Sequence, residues 1–207
     1  IGNKMRVVSI DVGIRHLAFV DVTCGKSTPI AILHGVHLVD LCCLSHARVH
    51  RHACTLHHTK ELGDRLAHFK QEYGYIFDRA DVVLVERQPI TGLQSVQMFF
   101  HQSYREKVSL LSPNSMHKFF NLSRSYNHRK VQVVALMKTM CKHLRFDIDK
   151  ACVGMPRLHD VADALCFAWW WGYRQQKKIE SPYFRPLRIA ELQKAFPNLQ
   201  RFIFRKN

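Results

Sequence analysis

Four acids in this sequence stand where their neighbours argue against a charge: Asp11, Glu86, Asp160 and Asp163. Asp11 sits inside the first strand, in the apolar, β-branched run of Val7, Val8 and Ile10. Glu86 ends the run VVLV. Asp160 and Asp163 lie three apart in LHDVADALCFAWWWGYRQQ. A carboxylate in such a setting is costly to bury unless it is paired or holds a cation. The i, i+3 spacing puts the last two on one helix face, about 5–6 Å apart at Cβ, where they repel unless a positive charge lies between them. Taken singly, each has a plain structural reading. Asp11 could cap a turn, Glu86 could pair with Arg87 or a lysine, and Asp160 could cap the last helix. Taken together they form an oxygen-rich donor set of the kind hard cations such as Mg²⁺ or Mn²⁺ prefer. Two ions about 3.5–4 Å apart suit in-line displacement at a phosphodiester, one activating water and the other stabilising the leaving 3′ oxygen.

The rest of the chain is basic. Of 207 residues, 31 are Lys or Arg and 16 are Asp or Glu, a net charge of +15. That balance fits a polyanionic partner, and with no basic amphipathic anchor in view it favours nucleic acid over a membrane surface. No apolar run approaches the roughly 20 residues of a membrane span. An acidic pocket in a basic shell meets two needs of a metal-dependent nuclease: cations hold the backbone, and metals offset repulsion between the acids and the phosphate. The polar stretch from Asn121 to Lys130, NLSRSYNHRK, reads as a mobile loop, and its Arg124, Tyr126, His128, Arg129 and Lys130 are candidates for phosphate contacts.

These residues need elements to carry them. The residues from Arg6 to Val22 read as a β-hairpin turning at Gly13, and Ala31 to Cys43 as a third extended run, together an antiparallel meander. Leu62, Leu66, Phe69 and Tyr73 recur at helical intervals, with Gly74 as the stop. Asp81 to Glu86 reads as a buried parallel strand. Gln94 to Lys107 is a helix with Val96, Phe99, Phe100 and Tyr104 on one side. Val108 to Leu111 is a short strand, and Asn114 to Phe120 a short helix or turn. Val133, Leu136, Met137, Met140, Cys141 and Leu144 stripe another helix with Lys130 at its front. Leu158 to Gln176 is the last helix. Residues 5–176 are expected to form one α/β domain. Residues 1–4 read as an expression scar ahead of a native Met5, and residues 177–207 as a basic C-terminal extension packed on or beside the domain.

Seven cysteines without a framework spacing read as reduced thiols in an intracellular compartment. The segment Leu44–Thr59 is crowded with His46, His50, His52, Cys54, His57 and His58. Cys43-x2-His46 and Cys54-x2-His57 have the spacing of zinc-ligand pairs, while a basic connector facing an anion is the competing reading.

In order, IDVGIRHLAFVD, LVERQP and HDVADALCFA resemble the RuvC-like Holliday junction resolvases of the ribonuclease H superfamily, in particular the poxvirus resolvases, with the fungal mitochondrial resolvases as cousins. The resemblance spans about Met5 to Gln176. It implies a ribonuclease H-like fold: a central mixed five-stranded sheet, part antiparallel meander and part parallel, flanked by helices. It also implies a metal-dependent endonuclease that resolves four-way DNA junctions by paired symmetric nicks, with two Mg²⁺ ions per active site and Mn²⁺ as a substitute. By the same resemblance Asp11, Glu86, Asp160 and Asp163 are the metal ligands, Lys130 contacts the scissile phosphate, and Gln88 has either a substrate role or one supporting the ligands. It implies a homodimer, for which the Phe99, Phe100 and Tyr104 face is a candidate interface, with ordinary core packing as the competing reading, and a host-cell cytoplasmic site of viral replication. Three other readings stay open. One is a ribonuclease acting on RNA–DNA hybrids; another is a non-catalytic junction-binding protein on the same fold. The third is an actin-like or sugar-kinase ATPase, whose family also opens on an Asp-Gly hairpin. That fold needs a further glycine-rich phosphate loop, which the 9 glycines here do not form, so no nucleotide cofactor is expected.

Overall fold

The structure, a computed structural model, describes residues 4–44, 54–90 and 93–180, with side chains as far as Gln176. The expected scar, apart from Lys4, and the basic extension past Glu180 lie outside the described residues, as do His46, His50 and His52.

The alternation of apolar residues builds a five-stranded sheet in the order β3-β2-β1-β4-β5. Strands β1 (Met5–Asp11), β2 (His16–Cys24) and β3 (Ile32–Asp40) make the expected antiparallel meander. Strands β4 (Val82–Glu86) and β5 (Val108–Leu111) extend it in parallel from β1. Gly13 is required in the β1–β2 turn, because a Cβ there would lie 2.0 Å from the backbone oxygen of His16.

Each face of the sheet carries its own core. Helices α2 (Leu62–Asp78) and α3 (Gln94–Ser103) cover one face, over Val8, Ile10, Phe19, Val83 and Val85. The short α1 (Leu41–Leu44) joins that core. The other face packs Val7, Val20, Val22 and Leu84 against α4 (Pro113–Phe119), α5 (Tyr126–His143) and α7 (Leu158–Glu180). The one-turn α6 (Ile148–Ala151) leads from α5 into the approach to α7. Helix α7 lies close against the strand turns: a Cβ on Gly172 would stand 2.3 Å from the backbone oxygen of Pro29.

Four local expectations are corrected. The third extended run ends at Asp40, and Leu41–Leu44 is helical: Asp40 accepts a hydrogen bond from the backbone N–H of Cys42 (2.9 Å) and so caps the turn. Gly74 does not stop α2, which runs on to Asp78. Gly74 is buried, with Tyr104 Oη 3.7 Å from where a Cβ would stand, so its small size serves packing. Phe100 and Tyr104 are not surface residues; Phe100 meets Phe69 edge-on and Tyr104 stacks on Phe77 in the α2–α3 core, and α3 ends at Ser103. Asn121–Lys130 is not one loop, since Tyr126–Lys130 form the first turn of α5.

Candidate active site

Period-2 alternation puts Asp11 on the same face as Val7 and Ser9, and Glu86 on the same face as Leu84, toward α5 and α7. Parallel pairing of β1 with β4 runs in register from Val7↔Val82 to Ile10↔Val85. One step further on, Asp11 meets Glu86 at the strand ends. Asp160 and Asp163 project from the first turns of α7, with Phe167 one turn below them. All four acids line one cavity of about 230 Å³.

The cavity's electrostatics are those of crowded carboxylates. Burial first, then the charge of Glu86 and a hydrogen bond to it, and then the charges of Asp163 and Asp160, push the Asp11 carboxyl well above the usual carboxylate range. Burial, with Glu86 and Asp160 as neighbours, pushes the Asp163 carboxyl up to about 7. Asp163 Oδ1 is buried and has no hydrogen-bond partner among the described residues. Gln88 steadies Glu86: its Nε2 donates to Glu86 Oε2 (3.0 Å), and its backbone N–H donates to Gln97 Oε1 (2.8 Å). Asp160 is held apart from the other acids by Arg157, whose Nε and Nη2 donate to it at 2.5 and 3.3 Å. His159 Nε2 lies 2.9 Å from Asp160 Oδ1 but off the line of a good hydrogen bond. Burial, then Lys130 and Arg157, hold the His159 imidazole below its usual range against the pull of Asp160.

The acids fit a hard divalent cation. The donors are all oxygens, burial and neighbouring acids push two of the carboxyls upward, and a buried oxygen lacks a partner among the described residues. No three of them close to within 4.8 Å; among the described residues only a separate Cys–His trio does that.

Above the acids stands the amino end of α5. Asn121 ends α4 in the left-handed region (φ 52°), a conformation asparagine tolerates, and the chain turns toward Ser125. Serines then order the entry to α5: Ser125 N–H donates to Ser123 Oγ (3.1 Å), and Ser123 N–H to Gln132 Oε1 (2.7 Å). Tyr126, Arg129 and Lys130 follow at i, i+3 and i+4, so one helix face carries them to the cavity. Lys130 Nζ lies 4.2 Å from the Tyr126 ring centroid, and Arg129 Cζ 5.5 Å. Arg129 and His117 also line an adjoining groove with Lys118 and Arg124, so the cationic surface continues outward. His128 is exposed beside that surface and lines neither space. Gln88 reaches the site only through Glu86.

Arg157, His117 and the apolar wall of Val12, Pro113, Met116 and Phe167 are cavity residues that motif reading missed. Arg157 carried a signal: it stands three residues before Asp160, the reach of a helical ion pair. His117 and Met116 arrive from α4, whose docking no local pattern announces. No helix among the described residues is long and apolar enough to cross a membrane.

Residues 5–175 match the family described as Poxvirus A22 protein. No curated protein sequence matches. Among solved structures, the fowlpox virus resolvase in complex with substrate Holliday junction DNA superposes with a TM-score of 0.59 at 18% identity, over 83% of this chain and 99% of that one. The yeast mitochondrial Holliday junction resolvase gives 0.55 at 17%, over 84% and 82%. The Thermus thermophilus RuvC structure gives 0.51 at 18%, over 83% and 96%. At these identities the likeness is one of fold.

Proposed function

This chain belongs to the Poxvirus A22 protein family, and from that premise we propose that it is a metal-dependent endonuclease that resolves four-way DNA junctions by paired symmetric nicks. The observation that carries the reading is the convergence of Asp11, Glu86, Asp160 and Asp163 in one cavity beneath the cationic amino end of α5. The resolvases of similar fold, one of them bound to Holliday junction DNA, favour a junction as the substrate.

Asp11, Glu86 and Asp163 would hold Mg²⁺ or Mn²⁺, two ions per site, with Asp160 joining them once Arg157 shares its carboxylate. The ions supply activation of water and stabilisation of the leaving 3′ oxygen. Lys130 and Arg129 would hold the scissile phosphate at the helix amino end, where the unpaired backbone N–H groups and the dipole already favour an anion. Two cations, Arg129 and Lys130, stand at the start of α5, whose first turn no acid occupies. They oppose the dipole there, and a bound phosphate relieves that opposition. Arg124 and the adjoining groove would track the backbone away from the cut. Gln88 would act by positioning Glu86 rather than by touching DNA.

A four-way junction is nearly two-fold symmetric, so a homodimer would place two such sites on opposing strands. Residues 5–176 would form the nuclease domain and 177–207 an added basic surface. Family membership points to work at the cytoplasmic replication site of a poxvirus.

The test is cleavage of labelled four-way, flap, duplex and RNA–DNA hybrid substrates in Mg²⁺ by the wild type and by Asp11→Asn. Symmetric cuts on the four-way junction alone, lost in the variant, support the reading. Preferred cutting of the hybrid would replace it with a ribonuclease H-type activity. Junction binding without any cutting would replace it with an architectural role.

A further inference from the structure

On the opposite face of the sheet from the acids, Cys54, His58 and His68 bring one sulfur and two ring nitrogens within 4.8 Å of one another. We propose that this trio is a zinc site that pins the chain ahead of α2 onto that helix. Neither the resolvase reading nor the acidic cavity calls for it.

The geometry is that of a ligand set. Cys54 Sγ lies 3.6 Å from His68 Nδ1. Zn–S and Zn–N bonds of about 2.3 and 2.0–2.1 Å at the tetrahedral angle imply a sulfur–nitrogen edge of about 3.6 Å. His68 is fully buried in the α2 core. Its Nε2 lies 3.0 Å from the backbone oxygen of His57, to which it donates. That hydrogen bond leaves Nδ1 as the ring's lone-pair atom and aims it at the sulfur. Ligating histidines are held in this way, with the far ring nitrogen donating to a carbonyl. The His58 ring lies 4.7 Å from the His68 ring, tilted by 38°, so two imidazoles can approach one ion without stacking flat. Gln71, 3.5 Å from Sγ, is the sulfur's polar neighbour on the next turn.

The chemistry selects the metal. One thiolate and two imidazoles form a borderline-soft set that suits zinc and not the Mg²⁺ expected of the acids. Binding converts the Cys54 thiol to thiolate and releases its proton to solvent. The described residues supply three ligands, and the site opens to solvent at the exposed His58 edge. Among the described residues the trio keeps Cys54 from the expected Cys54-x2-His57 pair, His57 contributes its carbonyl rather than its ring, and His68 comes from the helix; His46 of the expected Cys43-x2-His46 pair lies outside the described residues.

The experiment is cobalt titration of the full-length chain, stripped of metal, followed by displacement with zinc. The expected result is one tetrahedral cobalt per chain with a near-ultraviolet thiolate-to-metal band that one equivalent of zinc removes. The band is retained in Asp11→Asn, which reports any cobalt held by the acids. It disappears in Cys54→Ser. His58→Ala, an exposed change that leaves the fold intact, weakens cobalt binding at least about 10–100-fold, the scale seen when even an outer partner of a metal ligand is lost. Absence of the band in the wild type, its survival in Cys54→Ser, or unchanged affinity in His58→Ala would each overturn the site.

Discussion

Asp11 shares a hydrogen bond with Glu86 across two parallel strands whose in-register pairing ends one residue earlier. Two acids 75 positions apart are thereby held as neighbours, and burial with the adjacent charge keeps the Asp11 proton on far above the usual carboxylate range. A cation that enters must displace that proton.

Replacing Asp11 with Asn removes a metal donor without changing shape. Junction cutting in Mg²⁺ falls at least about 100-fold, the upper end of what loss of even an outer metal partner costs, while junction binding at matched salt stays near wild type. A single-turnover cleavage assay beside a gel-shift titration measures both. A variant that cuts at the wild-type rate removes Asp11 from the metal site.

The Asp163 carboxyl stands at about 7 in the folded chain against 3.8 ordinarily. A raised carboxyl favours the folded state through its proton. That contribution is fully present below about pH 4 and is lost as pH rises through about 7. In chelator, Asp163→Asn therefore melts above the wild type at pH 8, and the gap closes toward pH 4. Thermal melts across that range decide it; a gap that widens as pH falls contradicts the assignment.

Lys130 and Arg129 each neutralise a phosphate if the amino end of α5 seats the DNA. Lys130→Gln or Arg129→Gln then weakens junction binding and lowers the slope of log K against log salt by about 0.9. Binding isotherms at several salt concentrations give the slope. An unchanged slope would place the DNA elsewhere.

Helix α7 passes so near the β2–β3 turn that Gly172→Ala sets two effects against each other. Alanine gains about 1 kcal/mol in helix propensity. Its Cβ must displace the backbone at Pro29, 2.3 Å away, and such overpacking costs about 1–3 kcal/mol. The steric effect wins, so urea denaturation shows a net loss. A stabilised variant would mean that α7 shifts freely over the sheet.

Arg6 donates to Asp21 at 2.6 and 3.0 Å, and Asp21 is buried. Arg6→Met strands that carboxylate and lowers stability by on the order of 3 kcal/mol. Asp21→Asn added to it recovers most of the loss, which a double-variant denaturation series measures.

What the sequence by itself determined is local and periodic. Alternation in β1 and β4, an acid at the end of each apolar run, and two aspartates three apart on a helix all follow from neighbours a few positions away. They sufficed for the strands, for the candidate acids and for the family resemblance. What only the tertiary structure decided depends on which elements meet. Parallel register set Asp11 against Glu86, and the docking of α7 brought Asp160 and Asp163 into the same cavity. Tyr126–Lys130 became a helix turn over the cavity rather than a loop, because that turn is fixed by serine hydrogen bonds and ring–cation stacking as well as by an apolar stripe. His68 looked like one more residue of a core helix; only the fold of the preceding segment put Cys54 and His58 against it. Chain neighbours set the period of each element. Distant contacts set the partners, because a side chain's charge and its ligands depend on what it is packed against.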